Sequence, residues 1–396
     1  MVNLIVLSGG FRTELGRVLL LVAVAALAVA APARGEEAAA PPEVVDPHLN
    51  GDDDAYYNRQ AEAFLNEVGT TLERVRPQAP EPEERRMALM LLDAVLHDPY
   101  APNRPPVQAF YHSRIEHAVS EIEKARVEAG AMVWKIYNMG FVVRTPSVTL
   151  GFDLYRGPSA FRYADATGKS TIDSKGFPFS DDLAVRLVSQ CDALFISHQH
   201  RDHADPFVAQ TFIDQGKPVV APPEVFEGQP LQEKVTHLKR DAGAVHLLPI
   251  QQASHELKAI VYPGQQYQGG GVPNNVVLVT TPEGLAFVHD GDQINDPYPQ
   301  YQEDFTWIDR VHETHHVDVL MTNNWTNDIL RLTKGFGPEA VFTGHEDELG
   351  HQLWDRVAYW GDAEFIQSNL PELKASKYPV LVMTWGESYH YQRNAP

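Results

Sequence analysis

The sequence nearly lacks cysteine: 396 residues hold only Cys191, so no disulfide can close within the chain and a disulfide-stapled scaffold is excluded. Cys191 itself reads as a small buried hydrophobe. Positive charge is short, with 32 Lys and Arg against 53 Asp and Glu, a net charge of −21. A chain of that sign repels a polyanionic backbone, so no nucleic-acid partner is expected. Long apolar runs are missing too. The stretch Val18 to Ala31 has fourteen residues, fewer than the roughly 20 that cross a bilayer. No internal repeat is evident. The composition is 43% hydrophobic, enough for one large domain and an appendage.

What is present begins with a secretory pattern. Arg12 and Arg17 precede the apolar core, and Ala28-Val29-Ala30 or Ala31-Pro32-Ala33 offers a small-residue cleavage site, so residues 1–33 read as a signal peptide. Its removal would shift the charge from −21 to −22, because Arg12, Arg17 and Glu14 leave with it. A retained anchor is the alternative; after cleavage no stable membrane span is expected. An exported chain without a disulfide suits a bacterial periplasm or secretion. Residues 34–54 are acidic and proline-bearing, as in a linker. Residues 55–130 form a helical N-terminal segment with patterns over 55–74, 83–96 and 107–128. Proline-rich breaks separate them. The segment is expected to pack on the core, with a lid or a dimerisation element as alternatives.

From residue 131 to 396 the pattern changes to an α/β domain: short β-rich runs up to Asp153, then strands and helices in alternation, ending on a closing strand in "YPVLVMTWGESYHY". Within it, "SHQHRDHAD", residues 197–205, follows the apolar run Ala193 to Ile196. A buried strand delivering a loop is the expected context. His198 and His200 lie two apart and point the same way on an extended tip, while Asp202 and His203 follow the bend and reach a second point. Such side chains in this order fit two neighbouring metal positions better than a solvated turn.

This HxHxDH loop resembles the signature of the metallo-β-lactamase superfamily. The later segments "PIQQASH" with His255, "FVHDGDQ" with Asp292 and "VFTGHEDELGH" with His345 each follow a predicted strand, in that family's order. The resemblance covers about residues 131–390 and looks most like the branch of ascorbate-phosphate lactonases and phospholipase-D-like phosphodiesterases. It implies a four-layer αββα sandwich. It also implies two divalent metal ions, zinc first, with manganese or iron as alternatives. His198, His200 and His255 would bind the first and Asp202, His203 and His345 the second, with Asp292 bridging and Asp153 supporting. The implied activity is an exported hydrolase in which a metal-bridged hydroxide cleaves a lactone, ester or phosphodiester of a small-molecule substrate. Asp202 would orient that water and pass a proton to the leaving group. A mononuclear iron dioxygenase on the same fold and a non-catalytic metal-binding protein are the rivals. The export signal, the helical segment and the ending "GHEDELGH" depart from the cytoplasmic lactonases.

Other residues have competing readings. "HETHH", His312 to His316, matches the zinc-protease pattern HExxH, but a strand follows at once, which favours a solvated helix end. His246 alternates with apolar neighbours and reads as structural; Asp290 rivals Asp292 as the bridge; His351 could touch substrate or cap a helix. Residues 262–275, with three adjacent glycines, suit a substrate loop or a long hairpin. Asn323, Asn324 and Trp325 are candidate substrate contacts, with helix capping as the alternative.

Overall fold

The computed structural model describes residues 53–98, 100–163, 170–250, 256–266, 271–293, 305–324, 326, 329–349 and 373–393. The expected signal peptide and most of the expected linker lie outside these residues. The described residues from Asp54 onward form one compact unit. No helix among the described residues is long and apolar enough to cross a membrane.

Three helices come first: α1 (Asp53–Arg74), α2 (Glu83–Leu96) and α3 (Pro105–Lys124). Pro105 and Pro106 start α3 where a missing N–H costs nothing, and Val107, Tyr111, Ile115, Ala118, Val119 and Ile122 form its buried face. A meander follows, β1 (Ala131–Lys135), β2 (Phe141–Arg144) and β3 (Thr149–Phe152), with a small hairpin of β4 (Ala160–Tyr163) and β5 (Ser170–Asp173). Then come α4 (Asp181–Gln190), β6 (Ala193–Phe195), α5 (Pro206–Asp214) and β7 (Val219–Val220).

The second half is built on β8 (His246–Pro249), β9 (Glu256–Gln265), β10 (Pro273–Thr280) and β11 (Ala286–His289). It continues with α6 (Val311–Thr314), β12 (Val319–Asn323), α7 (Ile329–Phe336), β13 (Ala340–Gly344), β14 (Val380–Leu381) and β15 (Ser388–Tyr391). One sheet has the order β15-β1-β2-β3-β6-β7 and the other β14-β13-β12-β11-β10-β9-β8.

Strand alternation sorts side chains into layers. Val133, Val143, Phe152 and Phe195 of the first sheet meet Val261, Val277, Phe287 and Met321 of the second in a central core. Their neighbours Trp134, Val142 and Leu194 face outward into a core shared with α1 to α5, including Leu72, Leu92, Tyr111 and Leu187. On the far side Ile260, Leu278 and Leu320 pack with Val311 and Leu332 from α6 and α7. These are the four layers of an αββα sandwich. The N-terminal helices are thus part of the outer layer on the first sheet.

The single closing strand expected at the C-terminal end is two strands in different sheets: β14 pairs with β13, and β15 with β1. Between them Gly386 adopts φ 73°, and a Cβ there would stand 2.2 Å from the Arg114 carbonyl oxygen. Glu387, at the same corner, accepts from the backbone N–H of Thr384 and forms a bidentate pair with Arg85 of α2, both side chains buried. Arg85 also donates to the carbonyls of Val75 and Val382.

Candidate metal centre

The C-terminal ends of β6, β11 and β13 converge, as parallel strands of α/β sheets commonly do at a binding site. β6 runs into the 197–205 loop. Pro206 opens α5, and Asp205 caps it by accepting from the N–H groups of Phe207 and Val208. Arg156 pairs with Asp205, so the last acidic residue of the motif is tied to structure.

β11 ends in the turn Asp290-Gly291-Asp292. Gly291 has φ 58°, and a Cβ on it would lie 2.3 Å from the Ser197 Cβ. Only glycine lets the two ligand loops approach this closely. Asn274 of β10 clamps the turn, donating to the Asp290 carbonyl and accepting from the Asp292 N–H. β13 presents His345 at φ 69°, a backbone conformation that a side chain other than glycine seldom holds.

Two donor sets result. His198, His200 and Asp292 offer atoms within 4.8 Å of one another, and so do Asp202, His203 and His345. Asp292 stands between the sets: its Oδ2 is 3.5 Å from His198 Nε2 and 3.3 Å from His203 Nε2, and its Oδ1 is 2.7 Å from His345 Nε2. The rival Asp290 points elsewhere, accepting from Thr322 Oγ1 and the Asn323 N–H. Burial there pushes its carboxyl well above the usual carboxylate range.

The ring atoms facing away from this centre are held. Asp153 Oδ2 lies 2.7 Å from His203 Nδ1 and accepts from Ser197 Oγ, which in turn contacts His198 Nδ1 at 3.0 Å. Glu348, a residue not singled out from the sequence, lies 2.7 Å from His345 Nδ1. Asn138, in the β1–β2 turn, donates to Asp202 Oδ2 at 2.7 Å. Such outer contacts fix the imidazole tautomer and leave Nε2 as the ring atom turned toward the centre.

The electrostatics suit cations. Burial disfavours charge on His203, yet the carboxylates of Asp292, Asp202 and Asp153 outweigh it and raise its pKa well above the usual imidazole value. Burial also opposes charge on His345, but Asp292 and Glu348 push it up to about 10. His198 goes the other way, lowered by burial and by the neighbouring His203. Divalent ions fit this place on a direct observation: Nε2 of His198 and of His203 are buried with no hydrogen-bond partner. A cation supplies what hydrogen bonding there leaves unmet.

Of the expected ligands, His198, His200, Asp202, His203, Asp292 and His345 are brought together. His255 lies outside the described residues. Its chain neighbour Glu256 opens β9 opposite Pro249, whereas the far end of the strand, Gln265, pairs with Pro273 next to Asn274 of the site. Ten residues at about 3.3 Å each put roughly 30 Å between those ends.

Asn323 and Asn324 are buried; Asn323 donates to Asp292 Oδ1 at 3.1 Å and so serves the centre. Trp325 and His351 lie outside the described residues. His246 contacts the Lys239 carbonyl, and His312 that of Gly335 on a single helical turn, neither near the centre. Beside the ligand loop a cleft of about 560 Å³ is lined by Tyr155, Arg156, Gln199, Arg201, Glu224 and Phe226 among others.

No protein-family model matches the chain, and no curated protein does. Among solved structures it is similar to the metallo hydrolase Igni18 from Ignicoccus hospitalis, at 16% identity and TM-score 0.43 over 67% of this chain and 100% of that one. It is also similar to a possible metal-dependent hydrolase from Veillonella parvula, at 13% identity and TM-score 0.44 over 66% and 100%. An isothiocyanate hydrolase from Delia radicum gut bacteria matches at 14% identity and TM-score 0.43 over 65% and 98%. With two sheets, outer helices and ligand loops at the strand ends, the described residues form a four-layer αββα sandwich.

Proposed function

We propose that the chain is an exported metal-dependent hydrolase of a lactone, ester or phosphodiester, holding two divalent ions, zinc first. The observation that carries this reading is the pair of donor sets sharing Asp292, with two buried imidazole nitrogens left without hydrogen bonds. When bound there, divalent cations acidify water and offset the negative charge that develops on a cleaved carbonyl or phosphoryl group.

The protein's own residues do the rest. His203 and His345 are fixed by Asp153 and Glu348, so their rings need no reordering. Asp202 is the more open of the two central carboxylates, 26% exposed against 8% for Asp292, with Asn138 setting its orientation. That places it to accept the proton of the attacking water and hand it to the leaving group. The adjoining cleft, which mixes Arg156 and Arg201 with Glu224, is the proposed seat of a small polar substrate.

The test is elemental analysis of the full chain purified from the periplasm or medium, wild type beside His200→Ala, followed by assays on lactones, aryl esters and phosphodiesters. About two zinc ions per chain, falling in the variant, with turnover of one class, is the expected outcome. One iron per chain and no hydrolysis would replace this reading with the oxygenase. N-terminal sequencing of the same material tests removal of residues 1–33.

A further inference from the structure

Just past Gln265, the C-terminal end of β9, the chain places a side chain that a search for histidines passes over. Gln266 is 8% exposed, and its amide nitrogen lies 3.1 Å from His200 Nδ1 and 3.2 Å from Asp292 Oδ2. Those are the separations of donors that share one ion: bonds of 2.0–2.2 Å in a tetrahedral arrangement put donor atoms about 3.4 Å apart. The other end of the amide, Oε1, is buried with no hydrogen-bond partner. A half-turn of the amide exchanges the two ends without moving the rest of the side chain. It would bring the oxygen against His200 and Asp292.

The strand end is pinned in place. The Gln265 N–H donates to Gln293 Oε1 at 2.8 Å, and a Cβ on Gly264 would meet that oxygen at 2.1 Å. Arg240 donates to the carbonyls of Gly264 and Asn274. Gln266 is therefore held against the centre, while Glu256, bonded to His255 in the chain, opens the same strand at its opposite end.

We infer that the first metal position is completed by the amide oxygen of Gln266, beside His198, His200 and Asp292, and not by a third imidazole. The inference rests on the metal-centre reading above. A neutral amide oxygen is a harder and weaker donor than imidazole toward zinc. The first position is then the weaker of the two, and zinc loads the Asp202, His203 and His345 position first.

The test is competitive zinc titration of the metal-stripped full chain with a chromogenic chelator, alongside the visible spectrum of the cobalt-substituted protein. Wild type should show a tight and a weak class. Gln266→His should tighten the weak class by at least about tenfold and shift the cobalt bands of that class, leaving the tight class unchanged. Gln266→Glu, nearly the same shape, should tighten it as well and guards against a histidine variant that folds poorly. His255→Ala should change neither class, and His345→Ala should remove the tight class alone. Loss of the weak class in His255→Ala, with Gln266 variants unchanged, would overturn the inference while leaving the metal centre standing. A wild-type chain that takes up no zinc or cobalt would remove both.

Discussion

Two of the places where the described residues bury charge treat it differently. At the corner between β14 and β15, Arg85 and Glu387 satisfy each other and the surrounding backbone: two carbonyls accept from the guanidinium and a backbone N–H donates to the carboxylate. At the ends of β6, β11 and β13, carboxylates and imidazoles crowd together, yet two ring nitrogens have no hydrogen bond. The Arg85–Glu387 pair is itself complete, although Arg114 Nη2, Thr384 Oγ1 and Trp385 Nε1 at the same corner have no hydrogen-bond partner; the second cluster leaves ring nitrogens of its own members unmet. Completeness of pairing, more than the presence of charge, separates a structural ion cluster from a place kept for a cation.

The largest effect should come from breaking the complete cluster. Glu387→Ala leaves a buried guanidinium unpaired and should cost about 3–5 kcal/mol in urea unfolding, with metal content unchanged in the folded fraction. Wild-type stability in that variant would show that the pair is not the anchor described. Glu348→Gln acts on the incomplete cluster: without the carboxylate behind His345, zinc affinity of the tighter class should drop roughly 10–100-fold, with little change in unfolding of the metal-free chain. An unchanged affinity would mean that Glu348 does not position the ring.

A third cluster sharpens the rule. His316, Asp318 and Glu339 also lie close enough to hold an ion. Asp318, however, accepts from Arg393, Tyr391 and the Ala286 N–H. Burial would raise its carboxyl, but the Arg393 guanidinium outweighs that and holds it below the usual range. A depressed carboxyl contributes stability that is full above its unfolded value near pH 4 and fades as pH falls through the folded value. Asp318→Asn should therefore flatten the acid limb of stability below about pH 4, measured against wild type by thermal melts. The smallest effect should be His316→Ala, whose metal content should equal that of wild type; a loss of one ion there would break the comparison.

The parts of the site legible in the sequence are those fixed by local order. HxHxDH is six residues on one loop, while Asp292 and His345, each after a short apolar strand, are legible through the order of segments that the family resemblance implies. Gln266 is not legible by type, because glutamine is no usual metal donor. Moreover β9 runs from Glu256, paired with Pro249 of β8, to Gln265, paired with Pro273 of β10. Only the register shows which end holds the metals. The four layers come with the family resemblance, which the alternation of strands and helices fits, whereas the split of β14 from β15 depends on contacts with Arg85 and Arg114 far away in the chain. Asn138 leaves no trace at all, since turns are commonly rich in asparagine.

The Arg85–Glu387 pair also has a consequence in time. Its members are 302 positions apart, and β1 finds its outer neighbour only in β15. During synthesis the helices emerge early, but their buried arginine has no counter-charge until Glu387 leaves the ribosome. The outer layer therefore cannot seal on a growing chain, and a product truncated before Glu387 carries an unanswered cation in its interior, a ready mark for proteolysis.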